Sequence, residues 1–155
     1  MPNKIPVYYW DTCIWISWLL NESRSNNEMD GVIEVIEKIE KKQVIVITSD
    51  LIAVELLPCK FPQEAMNQFD KIFSKRNVQK KGVDNRIFGI AQNIRNWRSS
   101  LTVPDAVHLA TAIHYQADQF HTFDEDDLLP LDGNVAGHAL RICKPTAVQY
   151  RLQGF

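Results

Sequence analysis

The chain has 155 residues, 45% of them hydrophobic and 23% charged, which suits an ordinary globular protein and excludes a disordered one. Its opening, Met1-Pro2-Asn3-Lys4, leads into no signal-peptide apolar core. No apolar stretch reaches the ~18 residues of a membrane span, so a single cytoplasmic domain over 1–155 with no membrane contact is expected. The formal net charge of −2 hides an asymmetry: residues 71–98 carry eight basic residues and one acid, against nine basic and eighteen acidic residues elsewhere.

In chain order, residues 7–10 form a short apolar and aromatic run that reads as a buried strand. A helix is expected over 14–20, then a polar loop over 21–27. Met29, Val32, Ile33, Ile36 and Ile39 recur at helical spacing over 28–42. Residues 44–47 are β-branched throughout, as in a strand. Thr48-Ser49-Asp50 offers capping groups for a helix over 50–57, and Pro62 starts another to about residue 75. Val78 centres a weak strand. An amphipathic helix is expected over 84–98, and Pro104 opens one to about 115. Strands are expected over 119–123 and 139–143, while the last dozen residues receive no assignment. Strands separated by helical crossovers predict an α/β fold, with a parallel sheet covered by helices on both faces.

The informative residues are acids set in apolar sequence. Asp11 follows the first strand, within Val-Tyr-Tyr-Trp-Asp-Thr-Cys-Ile-Trp. Ligand sites of open α/β sheets form at that end of the strands, although a helix N-cap explains Asp11 equally simply. Glu55 lies in Leu-Ile-Ala-Val-Glu-Leu-Leu and must face either solvent or a cleft. Asp105 has capping-box spacing to Thr102, a role compatible with holding a ligand. Asp124 is expected to end the fourth strand and begins the run Asp124-Glu125-Asp126-Asp127, of which Asp126 or Asp127 could replace it as a ligand. Four gathered carboxylates repel one another unless a cation neutralises them, and oxygen-only ligands suit Mg²⁺ or Mn²⁺. Such ions activate water and orient it toward a phosphodiester. Thr12 and Thr122 could position water or phosphate beside the acids.

These residues resemble the PIN-domain family, in particular its compact VapC-like toxins. The motifs are Tyr9-Trp10-Asp11-Thr12, the run from Ser49 to Leu56 containing Glu55, Pro104-Asp105-Ala106-Val107-His108-Leu109-Ala110-Thr111-Ala112, and Thr122-Phe123-Asp124-Glu125-Asp126. The resemblance spans about residues 5–145. It implies a three-layer α/β/α sandwich with about five parallel strands, and a Mg²⁺- or Mn²⁺-dependent endoribonuclease. It places the metal-holding acids at Asp11, Glu55, Asp105 and Asp124. In the toxin branch it implies an RNA substrate, an inhibitory antitoxin and a homodimer.

Other readings compete. Lys80, Lys81, Arg86, Arg95 and Arg98 could contact RNA, but a solvated helix face explains such charge as well. His108 shares a helix face with Asp105 and reads as a packing histidine before a phosphate contact. Trp15 and Trp18 suit a core or a dimer surface. A phosphoacceptor signalling domain would share the sheet, and Lys144-Pro145 fits it. It also wants paired acids after the first strand, where Asp11 is followed by Thr12-Cys13. A haloacid-dehalogenase-like phosphatase would want an acid where Cys13 stands. A metal-free PIN-like interaction module is the remaining alternative. Cys13, Cys59 and Cys143 form no CxxC pair and do not suggest a zinc site.

Overall fold

The computed structural model describes residues 4–147. Its elements in chain order are β1 (Val7–Trp10), α1 (Thr12–Leu19), α2 (Glu28–Glu40), β2 (Ile45–Ser49), α3 (Leu51–Glu55), α4 (Gln63–Phe73), β3 (Val78–Lys81), α5 (Asn85–Trp97), α6 (Val103–His114), β4 (Gln119–His121) and β5 (Ile142–Cys143). The five strands form one sheet in the order β3-β2-β1-β4-β5, and every pairing is parallel. From β1 the chain steps outward to β3, then returns to lay β4 against the other side of β1. The strand order therefore reverses between β1 and β4, the place where open α/β sheets leave a crevice at their carboxyl ends.

Alternation along the strands builds two apolar layers. Tyr9, Ile47 and Phe120 face one side and pack with Ile87, Ile94 and Leu109 of α5 and α6. Trp10, Val46 and Val78 face the other and pack with Ile14, Trp15, Val32, Val35, Ile39 and Ile72 of α1, α2 and α4. His121 is buried in β4, and burial pushes its pKa down to about 3. The neutral ring accepts from Trp10 Nε1 at 3.0 Å through Nδ1, which leaves Nε2–H to donate to Gln119 Oε1 at 2.8 Å.

Several boundaries differ from the sequence expectation. α1 begins at Thr12 because Asp11 caps it. The polar stretch 21–27 contains a 3₁₀ turn at Ser25–Asn27. β2 runs on through Thr48 and Ser49, which pair with β3, while Ser49 Oγ also accepts the Leu51 N–H at 3.1 Å at the start of α3. α3 stops at Glu55, and Val78 opens β3. β4 ends at His121, so Asp124 lies in the following loop and not at the strand end. The cause is local: Thr122 Oγ1 accepts the Asp124 backbone N–H at 3.1 Å, which turns the chain out of the sheet. β5 is only Ile142–Cys143, and most of the unassigned last dozen residues lie outside the described ones.

The described C-terminal segment crosses α2 at Gly31, where a Cβ would meet the backbone carbonyl of Pro145. Lys144 reinforces the crossing through bonds to Glu28 and Glu125, each 2.5 Å. Gly31→Ala should therefore lower stability by about 1–3 kcal/mol through overpacking, although alanine favours a helix interior. Urea unfolding checks this; an unchanged or raised midpoint would show that the segment does not rest on α2.

Candidate metal centre

Asp11 follows β1 directly and is 7% exposed. Its Oδ1 accepts the Thr12 backbone N–H at 2.9 Å, the N-cap bond of α1. Its Oδ2 accepts the Thr122 hydroxyl at 2.8 Å and the Cys13 thiol at 3.4 Å. The capping and site readings thus coincide in one carboxylate. Burial, with the Asp11 charge added, pushes the Cys13 thiol up to about 12, so it meets the acids as a neutral donor.

Glu55 ends α3. Its Oε1 accepts the Thr12 hydroxyl at 2.8 Å and faces His108 Nε2 at 2.5 Å. Burial raises the Glu55 pKa, but the bonds from His108 and Thr12 outweigh it and hold the carboxyl below its usual value. Asp105 lies in the first turn of α6, where Thr102 Oγ1 accepts its backbone N–H at 3.2 Å. Burial first, then the charges of Asp11 and Asp124, push its carboxyl up to about 6. Asp124 is half-buried, and its Oδ1 accepts the N–H groups of Asp126 and Asp127 at 3.1 and 2.9 Å.

Asp11, Glu55, Asp105 and Asp124 line one open depression of about 410 Å³, together with Thr12, Cys13, Ile16 and Phe123. Two of these lining acids, Asp105 and Asp124, form a group with the exposed Asp127 in which one oxygen of each lies within 4.8 Å of the others. Ligands on opposite sides of a Mg²⁺ ion stand ~4.2 Å apart, so this set fits a hard divalent cation with small side-chain movements. Asp127 stands beside Asp124 in this group, and Asp126 donates its backbone N–H to Asp124 Oδ1. A cavity of about 480 Å³, lined by Ile5 and Ile45 near the amino ends of β1 and β2, has Glu40 as its only acid among the described residues, already paired with Lys75 at 3.0 Å.

None of the five basic residues singled out in the sequence lines the acidic depression. Lys80 lies over the Phe73 ring and Lys81 over Tyr115. Arg86 pairs with Asp84, Arg98 covers Trp97, and Arg95 donates to the Leu101 and Ser99 carbonyls that join α5 to α6. The connections of three residues escaped sequence reasoning. Arg24, in the polar loop, stacks 4.0 Å over Phe123 and pairs with Glu28. His108 is fully buried with both ring nitrogens bonded, as the packing reading expects, but its Nε2 partner is Glu55 of the depression. Tyr9 supports it from the sheet. The only sequence signal was the three-residue spacing from Asp105 to His108.

A PIN-domain family model matches residues 8–134, and the chain belongs to the PIN-domain family. That sets aside the phosphoacceptor and phosphatase alternatives. The fold is shared with VapBC2 from Rickettsia felis, solved bound to a promoter DNA fragment: TM-score 0.63 and 14% identity over 88% of this chain and 98% of that one. A toxin–antitoxin complex from Klebsiella pneumoniae gives TM-score 0.56 and 18% identity, covering 86% and 99%. VapC20 of Mycobacterium tuberculosis, a toxin that cleaves the sarcin-ricin loop, gives 0.52 and 16%, covering 77% and 91%. No curated protein matches the chain significantly.

The raised Asp105 carboxyl has a signed consequence. Its folded-state pKa of about 6 lies above the ordinary aspartate value, so the folded protein binds the extra proton. Stability from this group is complete below pH ~4 and is lost as pH rises through 6. In chelator, Asp105→Asn should melt above the wild type at pH 7.5 by about 3 °C, after allowance for solvent screening. The gap should close by pH 4. Thermal melts across that range check it; a gap that widens toward acid would contradict it.

Proposed function

We propose that this PIN-domain protein is a Mg²⁺- or Mn²⁺-dependent endoribonuclease and the toxin of a toxin–antitoxin pair. The observation carrying the proposal is the convergence of Asp11, Glu55, Asp105 and Asp124 on one depression, with Asp127 adding a fifth carboxylate. Asp105 and Asp124 would hold the ion with Asp11, and Glu55 would complete the set. A bound divalent cation supplies positive charge for a phosphodiester and lowers the pKa of an attacking water. The chain itself fixes the acids: Thr12 orients Glu55, Thr122 orients Asp11, and the turn at 124–127 orients Asp124. Lys80 and Lys81 close β3 at the same sheet end as the acids and are the best-placed RNA contacts. Arg86 and Arg98 are secondary candidates, and Arg95 is committed to the α5–α6 connection.

The toxin reading draws support from neighbours solved as toxin–antitoxin assemblies. It carries with it an antitoxin partner, a homodimer and a cytoplasmic setting. Among the described residues no helix is long and apolar enough to cross a membrane.

Purified protein should cleave RNA in Mg²⁺ or Mn²⁺ and stop in chelator. Asp11→Asn and Asp105→Asn should each slow cleavage by about 100-fold or more while remaining folded. Wild-type rates in both variants, or cleavage that persists in chelator, would overturn the assignment. A folded wild type that neither cleaves RNA nor binds the ion would be a catalytically silent interaction module.

A further inference from the structure

Glu55 differs from the other acids in how it is held. Two donors from separate elements, the Thr12 hydroxyl of α1 and His108 Nε2 of α6, converge on its Oε1. Among the described residues Oε2 has no hydrogen-bond partner. His108 is 0% exposed, and so is Tyr9, whose hydroxyl meets His108 Nδ1 at 2.5 Å. The Tyr9 ring is fixed in turn, stacked on Phe120 with centroids 5.0 Å apart. The Ser49 backbone N–H reaches the same hydroxyl at 3.0 Å.

The Glu55 end of this chain fixes the direction that matters. A carboxylate oxygen can only accept, so the hydrogen between His108 Nε2 and Glu55 Oε1 sits on Nε2. The Tyr9 oxygen accepts the Ser49 N–H; toward Nδ1 the hydroxyl donates to a neutral ring, or accepts from a fully protonated one. The donor role toward Glu55 is the same in either form.

We infer that His108, clamped by Tyr9, is a positioning residue that ties down one oxygen of Glu55 and leaves the other to the bound cation. The inference rests on the metal-centre reading above. A glutamate on a short helix has rotatable bonds that must be frozen before it can serve as a ligand. Hydrogen bonds behind a ligating group supply that order, and their loss typically weakens metal binding by 10–100-fold. Fixing Oε1 from behind gives the reach from α3 to the acids after β1, on α6 and in the β4 loop a single geometry. Thr12 alone would leave the carboxylate free to rotate about one bond.

The test is Mn²⁺ binding by calorimetry on the full chain, with melts to verify folding. His108→Gln and His108→Met are similar in size, but only glutamine keeps an N–H near the Nε2 position. His108→Met should bind Mn²⁺ about 10-fold or more weakly, while His108→Gln should return to within about threefold of wild type. Tyr9→Phe should fall between them. Wild-type affinity in His108→Met, or equal loss in the methionine and glutamine variants, would overturn the positioning role. If the His108 variants do not fold, Tyr9→Phe decides: reduced affinity supports the role and unchanged affinity overturns it. A wild type that takes up no Mn²⁺ would instead overturn the metal centre, and this inference with it.

Discussion

The structure turns on the mutual repulsion of carboxylates held at the crevice between β1 and β4. Burial and neighbouring negative charge already push one of them, Asp105, up to about 6. What surrounds the acids is a set of neutral donors: the Thr12 and Thr122 hydroxyls, the Cys13 thiol and backbone N–H groups. Among the described residues no basic side chain lines the depression. Arg24 stacks on the Phe123 ring and spends its charge on Glu28 and Glu22. The site is thus poised for a positive charge brought from outside, and a hard divalent ion suits the all-oxygen set.

The same groups also build the fold, which explains how so unfavourable a cluster persists. Asp11 caps α1, Thr102 caps α6 at Asp105, and the Asp124 side chain closes the turn after β4. The Asp11 and Asp124 carboxylates are therefore anchored by backbone N–H groups, and Asp105 through its own N–H, by bonds that do not depend on a ligand. The sheet topology does the rest, because two parallel strands that meet where the order reverses bring Asp11 and the β4 loop together. The Glu55 carboxylate is held only by side-chain donors, Thr12 and His108, which makes the Tyr9–His108 pair the adjustable part of the centre.

Much of this was legible in the sequence, for physical reasons. Strands and helices were marked by β-branched runs, helical apolar spacing and caps, and a parallel sheet followed from their alternation. Asp11, Glu55, Asp105 and Asp124 stood out because charged residues are rare in such apolar surroundings. The boundaries that differed were set by contacts that apolar patterning does not carry. β2 extends through Thr48 and Ser49 because β3, distant in the chain, pairs with them, and β4 stops early because the Thr122 hydroxyl takes the Asp124 N–H two residues on. The basic residues of 71–98 looked like one surface, yet Lys80 and Lys81 cover aromatic rings while Arg95 ties a loop. His108 read as packing because the sequence offers no sign that Tyr9, 99 positions away, or Glu55, 53 positions away, would meet it.

The central claim is that the converging acids hold a divalent cation, and the melting temperature of the wild type against Mn²⁺ concentration tests it most directly. A ligand that binds only the folded state adds about 2.7 kcal/mol at a hundred times its dissociation constant, a rise of roughly 5–10 °C for a chain of this size. The account predicts that rise in the wild type and its loss in Asp105→Asn. A melting temperature indifferent to Mn²⁺, or an equal rise in both proteins, would contradict it.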